Sequence, residues 1–261
     1  MMQAQDLPQH LAAPLRTIAS KLNVSAELHA ADYIFRWLYD NPAKPDKVAV
    51  LREYLEGGAH TAQLVTDLIG QFRASATPFK MLEFASGYGR VTRHWCNVLP
   101  AADVLACDIH QQAVSFLRDL GLRASMSSSV PEDLELGETF DVVFALSFFT
   151  HMPRATWGRW LQALASRLRP SGLLIFTTHG LASLPHMGLK SLDKDGYWFG
   201  SFSEQKDLST AEYGATATSF DFVYQHLSHC RLALRYFREA GMGYQDLFVA
   251  APCQDAVRTA G

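Results

Sequence analysis

Cysteine is scarce and scattered in this chain. Its 261 residues hold four, Cys96, Cys107, Cys230 and Cys253, and no two of them stand as a CxxC pair. That spacing argues against a zinc knuckle or a disulfide framework and fits a reducing compartment. A basic excess is missing as well. The 23 Lys+Arg face 26 Asp+Glu, a formal net charge of −3, whereas nucleic-acid binders carry surplus positive charge. No apolar run approaches the roughly 18 residues that span a bilayer. The N-terminus lacks the basic start and apolar stretch of a secretory leader. No internal repeat or long low-complexity tract is present. The expectation is therefore a cytoplasmic, soluble protein with neither membrane nor nucleic acid as partner. Apolar residues make up 48%, enough for a substantial core, and the length suits an α/β domain with an appendage.

Two patterns divide the chain. Residues 8–75 read mostly as helix: Leu11, Leu15, Ile18 and Leu22 recur at helical spacing, and the aromatic-rich stretch 31–41 stops at Asn41-Pro42. A further helix covers about 46–56, breaks at Gly57-Gly58, and is followed by another over about 60–73. From Phe79 onward short apolar strands alternate with helices. FKMLEFA, VLACD, FDVVFALS and GLLIFTT read as strands; VTRHWCNVL, QQAVSFLRDLG and RATWGRWLQALASRLRP read as helices, the last stopped by Pro170 and Gly172. Such alternation implies a parallel sheet covered on both faces. After His179 it lapses for about 40 residues rich in Gly and aromatics. It resumes with a helix over 219–229, capped by Ser219, and two strands joined tightly around GMG.

The stretch LEFASGYGRVTRHW, 82–95, carries the chemistry. It follows the first strand, where open α/β sheets bind ligands beyond their carboxyl ends. Gly87 and Gly89 let a ligand approach the backbone more closely than a Cβ permits. The third glycine of the dinucleotide fingerprint is absent, and so is the lysine of a phosphate loop. What remains, E-x-A-x-G-x-G with Asp108 ending the next strand, resembles the first motifs of the class I S-adenosylmethionine-dependent methyltransferases, whose usual form is D/E-x-G-x-G-x-G. Ala85 stands where the first glycine is normally found. FDVVFALSFFTHMP and LASRLRPSGLLIFTTHG resemble the family's fourth strand and its later helix-turn-strand, and RLALRYF, GMG and YQDLFVA its reversed closing hairpin.

The resemblance implies a Rossmann-like, doubly wound, mostly parallel seven-stranded sheet whose last hairpin strand is reversed. Residues 1–75 would form a helical cap, 76–178 with 219–252 the cofactor-binding core, and 179–218 an insert covering the acceptor. S-adenosylmethionine would be the cofactor. Glu83 would sit near its methionine end, with Ala85, Ser86, Gly87 and Gly89 along the methionine and ribose. Asp108 would hold the ribose hydroxyls, Ile109 would lie against the adenine, and Met126 and Ser127 would flank that ring. Ala145 and Ser147 would lie beside the sulfonium. Arg90 would meet the cofactor carboxylate or pair with a surface acid. Each residue also has a plainer role: glycines make tight turns, Asp108 caps helices, Met126 packs. A helix starting after Gly57-Gly58 would offer its N-terminus to the carboxylate, or simply follow an interhelix turn.

His151, just past the fourth strand, is the candidate base, because an imidazole accepts a proton near neutral pH. Its alternative role is to fix the loop backbone. His179 is a second candidate. The loop after the fourth strand has neither the Asn/Asp-Pro-Pro-Tyr/Phe of amide-nitrogen methylases nor a Pro-Cys pair for cytosine methylation. Aromatic residues of the insert, Tyr197, Trp198 and Tyr213, suit the wall of a small-molecule pocket. The expected activity is O- or N-methylation of a small molecule by in-line transfer. A non-catalytic cofactor-binding or partner protein, and a nicotinamide oxidoreductase, are the alternatives.

Overall fold

The structure, a computed structural model, describes residues 8–73, 78–203, 205 and 208–253. The boundary expected at 75–76 lies outside the described residues. The chain divides into two compact units, residues 1–129 with 203–209, and 130–202 with 210–261.

The first unit opens with helices α1 (Gln9–Lys21), α2 (Tyr33–Tyr39) and α3 (Lys47–Phe72). Their apolar faces meet in one core that includes Leu11, Leu15, Phe35, Leu51, Tyr54 and Leu55. Aspartates start two of them: Asp32 accepts from Phe35 N and Asp46 from Val48 N and Ala49 N, each satisfying donors that a helix start leaves unpaired. Strand β1 (Phe79–Phe84) follows, then a 3-10 turn (Thr92–His94) running into the short helix α4 (Trp95–Val98). Strand β2 (Ala102–Asp108), helix α5 (Gln111–Asp119) and strand β3 (Ala124–Met126) complete this unit. α5 ends as its sequence suggests, on Gly121 with φ +78°, a left-handed conformation that suits glycine.

The second unit contains β4 (Phe140–Ala145), α6 (Arg154–Ala165) and β5 (Leu168–Thr178). A small antiparallel pair follows, β6 (Tyr197–Gly200) with β7 (Ala215–Thr218). Helix α7 (Phe220–His229), with Ser219 Oγ accepting from Phe222 N, leads to the hairpin β8 (Leu232–Met242) and β9 (Gln245–Pro252). The seven main strands form one sheet in the order β3-β2-β1-β4-β5-β9-β8. β9 runs antiparallel to both β5 and β8, the reversed closing strand that the sequence implies.

Three helices differ from expectation. α3 runs unbroken through Gly57-Gly58. A Cβ on Gly58 would lie 2.1 Å from the carbonyl oxygen of Arg90, and one on Gly57 would lie 2.4 Å from the Arg90 guanidinium. The glycines serve close packing rather than a turn, and no helix N-terminus exists there to meet a carboxylate. α6 stops at Ala165 rather than at Pro170. The residue before a proline disfavours the helical region, so Arg169 is already extended in β5, and the ladder with β4 slips in register between Phe140 and Val142. VTRHWCNVL likewise forms only the 3-10 turn and the four-residue α4 rather than one continuous helix. No helix among the described residues is long and apolar enough to cross a membrane.

Candidate functional site

In the first unit, β1 and β2 deliver their carboxyl ends side by side, with Phe84 opposite Cys107 in the register. The chain then turns through Ala85 (φ +56°), Gly87 (φ +55°) and Gly89 (φ +76°), three left-handed residues within five. Ala85 holds this conformation despite its Cβ, a strained backbone of the sort that gathers at functional sites. A Cβ on Gly87 would meet nothing within 4 Å, whereas one on Gly89 would strike Leu117 of α5 at 2.5 Å. Gly89 is thus needed for packing, and Gly87 opens onto free space.

Asp108, 5% exposed, stands at the tip of β2. Its Oδ2 accepts from Gly87 N at 2.7 Å; its Oδ1 accepts from His110 N at 2.9 Å and from His110 Nδ1 at 2.8 Å. Three donors on a carboxylate with about four acceptor positions leave room for about one more, on Oδ2. The carboxylate therefore already shapes the glycine turn, and it takes both hydroxyls of a ribose only by yielding a bond to His110. It does not cap α5: the residue before that helix is His110, with no side-chain cap bond. Ile109 follows at partial exposure, Met126 lies exposed at the end of β3, and Ser127 N donates to Asp108 O at 2.8 Å. Ser86 is buried and its N donates to Cys107 O.

Glu83, 3% exposed, lies behind the turn and accepts from Trp95 Nε1 at 2.5 Å. Burial raises its carboxyl to about 7; the Trp95 bond and the Thr92 hydroxyl act against this, and Asp108 adds to it. Arg90 turns away to α3, where its Nε donates to Tyr54 O at 3.3 Å. Its Nη2 lies against Gly57 of the same helix, and no ion pair of Arg90 with an acid is present among the described residues.

Around it lies a buried polar group that sequence reasoning missed: Asp32, Tyr54, Arg93 and His94. Tyr54 OH donates to Asp32 Oδ2, and burial raises both groups above their ordinary values. The signal available in the sequence was the second basic residue in GRVTRHW, three positions after Arg90 in the short helical turn.

In the second unit, β4 ends at Ala145 and the chain turns at Ser147 (φ +56°). Side chains hold this strained residue: Ser147 N donates to Thr177 Oγ1 at 2.8 Å, Gln245 Nε2 donates to Ser147 Oγ at 2.8 Å, and Thr177 Oγ1 donates to Gln245 Oε1 at 2.7 Å. Beyond it, strand β7 uses both edges. One edge pairs with β6; the other bonds the loops after β4 and β5. Gly214 N, Thr216 N and Thr218 N donate to His151 O, Thr150 O and His179 O.

The same edge fixes both candidate histidines. His151 Nδ1 lies 2.7 Å from Gly214 O and His179 Nδ1 3.1 Å from Thr216 O. A carbonyl only accepts, so each Nδ1 bears the hydrogen, and in the neutral ring Nε2 is the basic nitrogen. His151 stacks on Tyr213, with centroids 4.2 Å apart and planes at 11°. Trp198 is half-buried and tilts against Phe202. Tyr197 has a different place from the one expected: it is buried, its hydroxyl donates to Met152 O at 2.9 Å, and its ring packs on Phe222 under the Arg154 guanidinium. It joins the insert to α6 and α7 instead of offering a surface to a ligand. The Tyr213–His151 stack is a pairing that the sequence does not announce.

Residues 82–174 match the family described as a methyltransferase domain. The malonyl-[acyl-carrier protein] O-methyltransferase of Methylococcus capsulatus is 30% identical over 124 residues, 46% of this chain and 44% of that protein. The chain thus spans less than half the length of this curated relative. A S-adenosylmethionine-dependent methyltransferase from Clostridium acetobutylicum superposes with a TM-score of 0.58 at 14% identity, over 85% of this chain and 98% of the other. The S-adenosylmethionine-bound amino pentose methyltransferase CalS10 of Micromonospora echinaspora superposes with a TM-score of 0.54 at 15% identity, over 74% and 90%. Residues 82–174 are thus similar to a methyltransferase domain, and the seven-stranded sheet with its reversed β9 has the fold of the S-adenosylmethionine-dependent methyltransferases.

Proposed function

We propose that this chain transfers a methyl group from S-adenosylmethionine to an oxygen or nitrogen of a small-molecule acceptor. The observation that carries the reading is the turn itself. It opens at Gly87, where a side chain would find only empty space, and a carboxylate stands beside that opening with one acceptor position left. Ala85, Ser86, Gly87 and Gly89 would line the methionine and ribose, Asp108 would take a ribose hydroxyl, and Ile109, Met126 and Ser127 would border the adenine. Arg90 is left out of this set, because its guanidinium is engaged on α3. Ala145 and Ser147 keep their assignment near the reacting methyl.

When bound, the cofactor supplies an electrophilic methyl on a positively charged sulfur. The chain's own task is to orient the acceptor and take its proton. His151 suits this task, since Gly214 O holds the hydrogen on Nδ1 and Nε2 is left as the base. Its Nε2 would take up the proton that the acceptor releases on methylation. Tyr213, stacked on that imidazole, fixes its plane. Trp198 offers an aromatic surface for the acceptor. A small acceptor is also in keeping with an amino pentose methyltransferase among the structural neighbours.

The test is calorimetric titration with S-adenosylhomocysteine and with NADH, followed by transfer of isotope-labelled methyl to a panel of small hydroxyl and amino compounds. The reading expects the thioether to bind, the nicotinamide to fail, and label to enter at least one compound. Binding of NADH in preference to S-adenosylhomocysteine would refute it.

A further inference from the structure

Arg93 is 4% exposed, and its donors all reach main-chain oxygens. Nε donates to Gly89 O at 2.9 Å and Nη2 to Tyr88 O at 3.3 Å. Nη1 donates to Ser25 O and to Glu27 O, each at 3.0 Å. One guanidinium thus joins two consecutive carbonyls in the middle of the glycine turn to the segment between α1 and α2. That segment touches the turn again. His29 stacks on Tyr88, with centroids 4.6 Å apart and planes at 16°, and meets Phe116 edge-on at 5.4 Å. Ala31 packs against the same Tyr88, Ala113 and Phe116 cluster. Tyr33 follows, its ring 6.2 Å from that of His110, which in turn holds Asp108.

The turn needs such a support. Glycines give it the left-handed geometry, and the same freedom lets it leave that geometry when nothing holds it. The Arg93 side chain bonds the carbonyls of both Tyr88 and Gly89, and its main-chain N adds a bond to Gly89 O at 3.3 Å. A guanidinium suits the place because its donors diverge in a rigid plane, whereas an ammonium presents one nitrogen at the end of a flexible stem.

We propose that Arg93 is the positioning residue of the cofactor seat: it locks the glycine turn to residues 25–33 and so makes that segment a structural part of S-adenosylmethionine binding. The proposal rests on the reading that the turn seats the cofactor. Wild-type titration with S-adenosylhomocysteine tests that reading separately; a wild type that binds none overturns the seat and this proposal with it.

The experiment compares the wild-type chain with Arg93→Lys, which keeps the charge and loses the span. Dissociation constants for S-adenosylhomocysteine are measured well below the midpoint of thermal unfolding of each protein. The expected result is a rise of about tenfold or more, the scale of losing bonds from a charged donor. A variant with lowered thermal stability and a dissociation constant within about twofold of wild type would show that Arg93 only holds the fold together, and would overturn the proposal. Should Arg93→Lys fail to fold, His29→Ala decides. It removes the stack on Tyr88 and leaves the buried charge in place. A rise of about threefold, the scale of one aromatic pair, supports the coupling, and an unchanged constant overturns it.

Discussion

Glu83 and His94 lie behind the same turn, both buried, and burial moves them in opposite directions. The Glu83 carboxyl rises from an ordinary 4.5 to about 7, with desolvation the largest cause. The His94 imidazole falls from 6.5 to about 4, through desolvation first and then the nearby Arg93 and Arg90 charges. A raised carboxyl means that the folded protein keeps a proton the unfolded chain has lost. The Glu83 contribution is therefore fully present below about pH 4.5 and is lost as pH rises to about 7. A depressed imidazole means the reverse, so the His94 contribution is complete above about pH 6.5 and is lost as pH falls to about 4. Each gap is about 2.5 pH units, and at about 1.4 kcal/mol per unit each amounts to about 3 kcal/mol. Between about pH 4.5 and 6.5 the two slopes cancel, and the wild type draws little net pH dependence from this pair. Glu83→Gln removes one slope. Relative to wild type, its stability is expected to improve by about 3 kcal/mol between pH 4.5 and 7, apart from a constant offset. His94→Gln is expected to show the opposite difference between pH 6.5 and 4. Urea unfolding followed by tryptophan emission at closely spaced pH values measures both, and taking each variant against wild type removes the contributions of Asp32, His29 and the other titrating groups. If the Glu83→Gln curve runs parallel to wild type across that window, Glu83 is ionised in the native state and the reasoning fails.

Gly58→Ala and Gly70→Ala, both in α3, should differ in sign. The new Cβ at Gly58 would lie 2.1 Å from the Arg90 carbonyl and that at Gly70 would meet nothing, so thermal denaturation should show Gly58→Ala destabilised by more than about 1 kcal/mol and Gly70→Ala stabilised by about 0.5–1 kcal/mol. Equal effects would remove the packing explanation for the paired glycines. Asp108→Asn should weaken S-adenosylhomocysteine by about tenfold to a hundredfold in calorimetry, the scale of a charge-assisted bond, with the circular dichroism spectrum unchanged. His151→Ala should lower turnover of any acceptor the wild type methylates by about a hundredfold or more while leaving the S-adenosylhomocysteine constant in place. Undiminished turnover would assign His151 to loop structure.

Much of the sheet is legible from residue order alone, because buried parallel strands are continuous apolar runs and FKMLEFA, VLACD, FDVVFALS and GLLIFTT are such runs. The turn and Asp108 are legible because an acid, small residues and a second acid recur at fixed spacing. What escapes depends on partners distant in sequence. Gly57-Gly58 reads as a break when only local propensity is weighed, since the backbone that needs the space, at Arg90, comes 32 positions later. Arg93 reads as an ordinary charged residue until its four carbonyl partners are known. Tyr197 looks like a pocket wall because an aromatic in an irregular stretch gives no sign of which side it faces. The ring orientation of His151 is set 63 positions downstream by Gly214, and no pattern near the histidine announces it.

Strand β7 carries a consequence for anyone wishing to redirect this protein to other acceptors. Its outer edge, through Gly214, Thr216 and Thr218, sets the hydrogen of His151 and His179 and anchors the loops that bear them. Replacing residues 180–212 leaves that edge and the Tyr213 ring stacked on His151 untouched, while a replacement extended six residues further would remove Tyr213 and the very backbone atoms that aim the two rings. A border that keeps both histidines in place therefore falls just before Tyr213, not at the start of helix α7.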